Sequence, residues 1–293
     1  MIDIDPGTRA SILVEALPYL RSFRGAVVVV KYGGNAMVDA TLADQFAADM
    51  VLLHAVGLKP VVVHGGGPQI GALMARLGKE PEFVDGQRVT DADTLDIARM
   101  VLVGKVNRDI VSAINHHGPV AVGLSGEDAS LIVADARDPD LGFVGDVAAV
   151  NPRIINDLLE KQIVPVIATI GTDASGQAYN INADPVAGAI AVALDAEKVI
   201  YLTDISGLLA DISDPDSLIG AITASRLRVM IGDGTLSGGM IPKVNACIQA
   251  VERGVQSAHI LDGRIAHVVL LELFTDHGVG TMITRHHGPE SVR

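Results

Sequence analysis

Short, unbroken runs of branched aliphatic residues alternate along this chain with longer amphipathic stretches, and that alternation leaves few folds open. Ala26–Val30, Val61–Val63, Val120–Leu124, Val164–Ile170, Val199–Leu202 and Ala258–Leu261 read as strands buried on both faces, the pattern of a parallel sheet. Between them Leu42, Phe46, Met50 and Leu53 recur at helical spacing, as do Met240, Val244, Cys247 and Val251. Strand and helix in alternation predict βαβ units and an α/β fold with a mainly parallel sheet. In such sheets ligands sit beyond the carboxyl ends of the strands, so the residues that follow each run are the ones to read.

A length of 293 residues fits one large α/β unit or two lobes. The element order puts a lobe boundary near Leu194–Lys198, giving a helical extension over 1–24 and lobes over 25–194 and 195–293. The extension carries a helical face of Ile12, Leu13, Ala16, Leu17 and Leu20, which Pro18 should kink or end. It serves either as a helix packed on its own domain or as an oligomer contact. A net charge of −13 argues against nucleic acid as a partner. The single cysteine, Cys247, allows no intrachain disulfide and fits a reducing compartment. Acidic residues stand where a signal peptide would carry basic ones, and no apolar run reaches the roughly 20 residues of a membrane span. The expectation is a soluble, cytoplasmic protein without a membrane partner.

Five constellations follow the strands. Lys31-Tyr32-Gly33-Gly34-Asn35 carries a lysine out of a buried run into two glycines, whose backbone N–H groups suit an anion. It is not the Gly-x4-Gly-Lys-Ser/Thr pattern of a P-loop. A strand ending in a tight turn is the alternative. His64-Gly65-Gly66-Gly67-Pro68 runs into a helix, with Pro68 suited to its first position, and makes a phosphate or carboxylate site. His64 itself reads as a hydrogen-bonded core or turn residue. In Asn180-Ile181-Asn182-Ala183-Asp184, Asp184 suits a helix cap, but two upstream asparagines exceed what one cap needs.

In Ser237-Gly238-Gly239-Met240-Ile241-Pro242-Lys243, Pro242 marks a helix start. Lys243 then falls in a first turn that disfavours a cation, unless an anion is bound there. Thr203-Asp204-Ile205-Ser206-Gly207 is either a nucleotide-binding strand end or an ordinary turn. Arg88, in Gly86-Gln87-Arg88-Val89-Thr90, suits a carboxylate clamp or an exposed loop. His116–His117 and His286–His287 are adjacent in sequence and point apart, so neither pair reads as a metal site.

Taken together, VVVVKYGGNAM, VVVHGGGPQI, GQRVT, NINADPVAGAIA, LTDISGLL, GGMIPKVNACIQAV and GVGTMI resemble the N-acetylglutamate kinase family, in that family's order and from about Val27 to Ile283. The resemblance implies a three-layer αβα sandwich of the amino-acid-kinase, carbamate-kinase-like fold. It implies that Lys31 and Lys243 stabilise the phosphoryl group in flight and that Asp184 organises them. Gly33, Gly34 and Gly66 would donate backbone hydrogen bonds to that group. Gly66, Gly67, Arg88 and Asn180 would hold N-acetyl-L-glutamate in the first lobe. Thr203, Asp204, Ser206 and Gly207 of the second lobe would bind ATP with Mg²⁺ as co-substrate, with no tightly bound cofactor and no metal site of the protein's own.

The N-terminal helix and the tail from His267 to Thr281 further resemble the arginine-inhibited branch of that family. This implies a hexamer, a trimer of dimers, and an arginine effector site using Lys198, His267, Glu272 and Gly280. Glu272 would pair with a guanidinium, the alternative being an ordinary surface glutamate. Two other readings remain: a sister kinase acting on glutamate, aspartate, carbamate or UMP, and a non-catalytic amino-acid sensor.

Overall fold

The computed structural model describes residues 5–211, 213, 214, 216–236, 240–275 and 278–286. Its strands are β1 (Val27–Tyr32), β2 (Lys59–His64), β3 (Phe83–Val84), β4 (Gln87–Arg88), β5 (Ala121–Ser125), β6 (Ile132–Ala136), β7 (Val144–Val150), β8 (Val164–Ala168), β9 (Ile170–Thr172), β10 (Ala178–Ile181), β11 (Lys198–Thr203), β12 (Ala221–Thr223), β13 (Ser257–Asp262) and β14 (Thr281–Thr284). Its α-helices are α1 (Pro6–Glu15), α2 (Leu17–Ser22), α3 (Ala40–Ala55), α4 (Gly67–Arg76), α5 (Ala92–Arg99), α6 (Asn107–His117), α7 (Arg153–Glu160), α8 (Ala183–Ala193), α9 (Ala224–Gly232), α10 (Met240–Glu252) and α11 (Val268–Phe274). A π-helical segment, Met100–Val106, joins α5 to α6.

The main sheet has the order β12-β14-β13-β11-β1-β2-β8-β5. Its neighbours run parallel except for the β13–β14 pair. β1 lies inside the sheet, and alternate valines serve opposite faces. Val28 and Val30 pack into the core that holds Phe46 and Met50 of α3 and Ile114 of α6. Val29 packs into the core that holds Ile190 of α8 and Cys247 of α10. Branched residues at every position of such a strand give each face a core, which makes the three layers. The 194–198 connection links α8 to β11, and the sheet runs unbroken across it.

Two local expectations are corrected. The apolar run 164–170 is not one strand: β8 ends at Ala168 and the chain turns at Thr169 into β9. β9 belongs to a small barrel of order β10-β7-β6-β9. Both pieces are buried, so the apolar run does not mark the corner between them. The extension is two helices. α1 ends at Glu15, and Pro18 stands in the first turn of α2, where a missing N–H costs nothing. α2 packs on α11 of its own chain, whereas α1 leaves Ile12, Leu13 and Val14 at least half exposed. Among the described residues no helix is long and apolar enough to cross a membrane.

Candidate active site

Three charged side chains from three elements meet at the carboxyl end of β1. Lys31 Nζ lies 2.9 Å from Asp184 Oδ1, and Lys243 Nζ donates to Asp184 Oδ2 at 2.7 Å. All three side chains are less than 15% exposed, at 14%, 12% and 11% for Lys31, Asp184 and Lys243. Burial works to raise the Asp184 pKa, but the two ammonium groups outweigh it and hold the carboxyl below its ordinary range. One carboxylate against two ammonium groups leaves a surplus positive charge. Tyr201, fully buried beneath, donates its hydroxyl to Asp184 O at 3.4 Å and braces the first turn of α8.

Asp184 does not cap α8. The cap is Asn182, whose side chain accepts from Asp184 N at 2.9 Å and so frees the Asp184 carboxylate for the lysines. Lys243 does fall in a first turn, and Asp184 supplies the anion that reconciles it with the helix end. That helix begins at Met240 rather than at Pro242. Ser237, Gly238 and Gly239 lie outside the described residues. Cys247, one turn further along α10, is fully buried, and burial pushes its thiol far up.

A cavity of about 270 Å³ opens from Lys31 and takes in Gly33, Gly34, Gly66, Gly67, Arg88 and Asn180. Gly34 adopts φ +71°, and a Cβ there would come within 2.5 Å of Asp204 Oδ1. Only glycine allows that approach, which brings the loop after β11 against the loop after β1. Gly66 caps α4, whose first residue is Gly67, so Pro68 takes the second helical position. The first-turn N–H groups there have no partner within the helix. Arg88, on the β3–β4 hairpin, donates from Nη2 to Gly67 O at 3.0 Å and lies 4.8 Å from the Phe83 ring centre. Burial lowers its pKa from the ordinary value. Asn180 Nδ2 donates to Thr90 Oγ1 at 3.4 Å. Thr203 ends β11, and Ser206 is exposed in the turn beyond it. Gly207 is buried at φ +144° against Thr281, whose hydroxyl accepts from Leu208 N at 2.8 Å. Among the described residues no group of three or more His, Cys, Asp or Glu is arranged to hold a metal ion.

The model of the amino acid kinase family matches residues 26–262, most of the chain. The chain belongs to the amino acid kinase family. Within it the chain stands among the acetylglutamate kinases, as its motifs imply: that of Moorella thermoacetica is 51% identical over 291 residues, covering 96% of this chain and 98% of the relative. Among solved structures, an N-acetylglutamate synthase from Neisseria gonorrhoeae complexed with coenzyme A and N-acetyl-glutamate matches with a TM-score of 0.83 and 25% identity, over 95% of this chain and 64% of that one. A carbamate kinase from Giardia lamblia bound to AMP-PNP matches with a TM-score of 0.67 and 20% identity, over 89% of this chain and 99% of that one, which bears on the fold alone. The α/β sandwich of the amino acid kinase family is thus the observed fold.

This amino acid kinase has a second charged cavity, of about 440 Å³, at the amino ends of β11 and β13. Lys198 and Glu272 both line it, with Pro18 and Tyr19 of α2 and Phe23 just after that helix. Lys198 Nζ lies 3.3 Å from Ser257 Oγ and 3.3 Å from His259 Nε2. His259 Nδ1 donates to Glu272 Oε1 at 2.7 Å, and Val279 N donates to Glu272 Oε2 at 3.0 Å. Glu272 is therefore no surface glutamate. Burial works to raise its pKa, but the bond from His259 leads the effects that hold it low. Burial lowers the pKa of both Lys198 and His259.

The structure does not bring His267 or Gly280 to this cavity. His267 stands before α11 in the left-handed region, with Nδ1 2.5 Å from Asp49 Oδ1 on α3. Gly280 packs against Ile260 O where a side chain would not fit. His259 and Gly278 line the cavity as well. His259 escaped the sequence reading because it sits inside the apolar run of β13, where one histidine looks like a core residue.

Proposed function

We propose that this protein transfers the γ-phosphoryl group of ATP to the side-chain carboxylate of N-acetyl-L-glutamate. The products are N-acetylglutamyl 5-phosphate and ADP, in the second step of arginine biosynthesis. The observation that carries this reading is the Lys31–Asp184–Lys243 bridge, whose Lys31 lines the glycine-rich cavity. A carboxylate oxygen of the acceptor forms the new bond to phosphorus as the bond to the ADP oxygen breaks. The acceptor is already ionised near neutral pH, so no general base is needed. Asp184 is an organiser: buried and doubly paired, it holds two ammonium groups a short distance apart. Their surplus charge opposes the negative charge on the transferring group. Gly33, Gly34 and Gly66 offer it backbone N–H groups, and Arg88 and Asn180 serve the acceptor's carboxylate and amide. ATP enters with Mg²⁺ as its counter-ion along Thr203–Gly207, in the 195–293 lobe, because Asp204 lies against the phosphoryl loop at Gly34.

Arginine is the proposed effector, bound in the cavity of Lys198 and Glu272. One ammonium and one carboxylate facing the same space suit a ligand that carries both charges. The exposed Ile12, Leu13 and Val14 of α1 support assembly through that helix, with a hexamer as the proposed form.

The deciding experiment offers N-acetyl-L-glutamate, L-glutamate, L-aspartate, carbamate and UMP with ATP and Mg²⁺. Acyl phosphate is trapped as hydroxamate while ADP release is followed. Strong preference for N-acetyl-L-glutamate is expected. Preference for another acceptor would reassign the Arg88–Asn180 end of the cavity, and no turnover by folded protein would favour a sensor.

A further inference from the structure

His64 is the last residue of β2, fully buried, and directly precedes the three glycines. Its Nδ1 lies 2.9 Å from Gly65 O and its Nε2 3.0 Å from Asn107 Nδ2. A carbonyl only accepts and an amide nitrogen only donates, so Nδ1 carries the proton and Nε2 is bare. The Asn107 amide has one orientation: Nδ2 also donates to Val166 O at 2.8 Å, and Oδ1 accepts from Arg108 Nη2. The imidazole is neutral, because burial lowers its pKa to about 4.

Asn107 is the first residue after the π-helical segment, a type of turn often found at functional sites. That segment also walls the glycine loop from behind. A Cβ on Gly66 would come within 2.7 Å of Leu102 Cδ2 and 3.2 Å of Val106 Cγ2. One stretch of helix therefore presses on Gly66 and, through Asn107, holds His64.

The hold on Gly65 O has a geometric consequence. In a trans peptide the C=O and the following N–H point in opposite directions. Fixing Gly65 O on the His64 side aims Gly66 N–H the other way, and Gly65, Gly66 and Gly67 line the cavity. Two successive glycines leave this peptide little intrinsic preference, so its orientation must come from outside.

We propose that His64, held by Asn107, is a positioning residue for phosphoryl transfer: it fixes the Gly65–Gly66 peptide so that Gly66 N–H donates to the phosphoryl group in flight. The proposal rests on the reading of this cavity as the site of phosphoryl transfer. His64 touches no substrate and acts through the backbone of its neighbour.

The test uses full-length His64→Leu, His64→Gln and Asn107→Leu, each measured for kcat, KM for ATP, melting temperature and the orientation of the Gly65–Gly66 peptide in a crystal structure. His64→Leu should turn the peptide and lower kcat by about 10²-fold with KM for ATP changed by no more than about twofold. His64→Gln keeps a donor for Gly65 O and an acceptor for Asn107, and should restore the peptide and most of kcat. Asn107→Leu should give an intermediate loss without touching His64. A lower melting temperature with native peptide orientation and wild-type kcat overturns the proposal, as does a turned peptide with wild-type kcat. If His64→Leu does not fold, the other two variants decide by the same readings. If the wild type phosphorylates a different acceptor, kcat is read with that one. If it phosphorylates none, the functional reading fails, and the crystal structures still decide whether His64 orients the peptide.

Discussion

Two charged sites flank β11, and they differ in how their charges balance. Beside Tyr201, toward the carboxyl end of β11, Lys31 and Lys243 share the single carboxylate of Asp184. At its amino end Lys198 faces Glu272 across His259, whose imidazole burial keeps neutral. Lys198 and Tyr201, the register partner of Lys31, are three residues apart on β11, a rise of about 10 Å. A buried surplus of positive charge is stable only while an anion is expected, and a phosphate supplies one. A balanced pair has no such need, and it suits a zwitterion that replaces each partner with its own group. The same buried lysine thus means different chemistry according to how many carboxylates stand beside it.

That contrast is open to attack at several strengths. The largest effect is expected at the unbalanced end: Lys31→Ala or Lys243→Ala should each lower kcat on the order of 10²–10³-fold in the coupled ADP assay. Wild-type turnover in either variant would remove the role assigned to the bridge. Next, Glu272→Gln should raise the arginine concentration for half-inhibition by about tenfold, one charged hydrogen bond's worth. An unshifted titration would mean that arginine, if it acts, binds elsewhere. A third test reads stability rather than turnover or binding. The folded pKa of His64 is about 4 against an ordinary 6.5, so between those values the unfolded chain binds a proton that the folded one does not. Stability is complete above pH 6.5 and is lost as pH falls toward 4, by at most about 1.4 kcal/mol per pH unit from this group. Urea unfolding at several pH values should show that slope in the wild type and a shallower one in His64→Gln; parallel curves would contradict it. The smallest expected change is His267→Gln, which should cost about 1 kcal/mol through Asp49 and leave the arginine titration where it was. A tenfold shift there would return His267 to the effector site.

The sheet and both faces of its core were legible because Val and Ile runs of strand length admit one environment, burial on both sides. Lys31, the glycine loops and Asn180 were legible for a related reason, since each interrupts or ends such a run abruptly. What the pattern hides is a change of direction between two buried pieces, as at Thr169, and a polar residue inside an apolar run. His259 is of that second kind, bonded on both ring nitrogens, by Ser257 two residues before it and by Glu272 on another element. His64 reads correctly as a hydrogen-bonded core residue, but its partner Asn107 is distant in sequence. The choice between Asn182 and Asp184 as cap was equally closed to inspection, because both residue types cap helices well and only the two distant lysines decide between them.

Cys247 carries a consequence of a different kind. It is buried on the inner side of α10, four residues past Lys243, and its thiol is held far from ionisation. A thiol-directed reagent needs a thiolate and a path, and the folded protein supplies neither. Labelling of this single thiol therefore advances only as fast as α10 lifts from the sheet, which makes it a built-in stopwatch for the opening of that helix. Any ligand that ties Lys243 to Lys31 slows the stopwatch, so occupancy of the site is readable from a chemical rate without following catalysis.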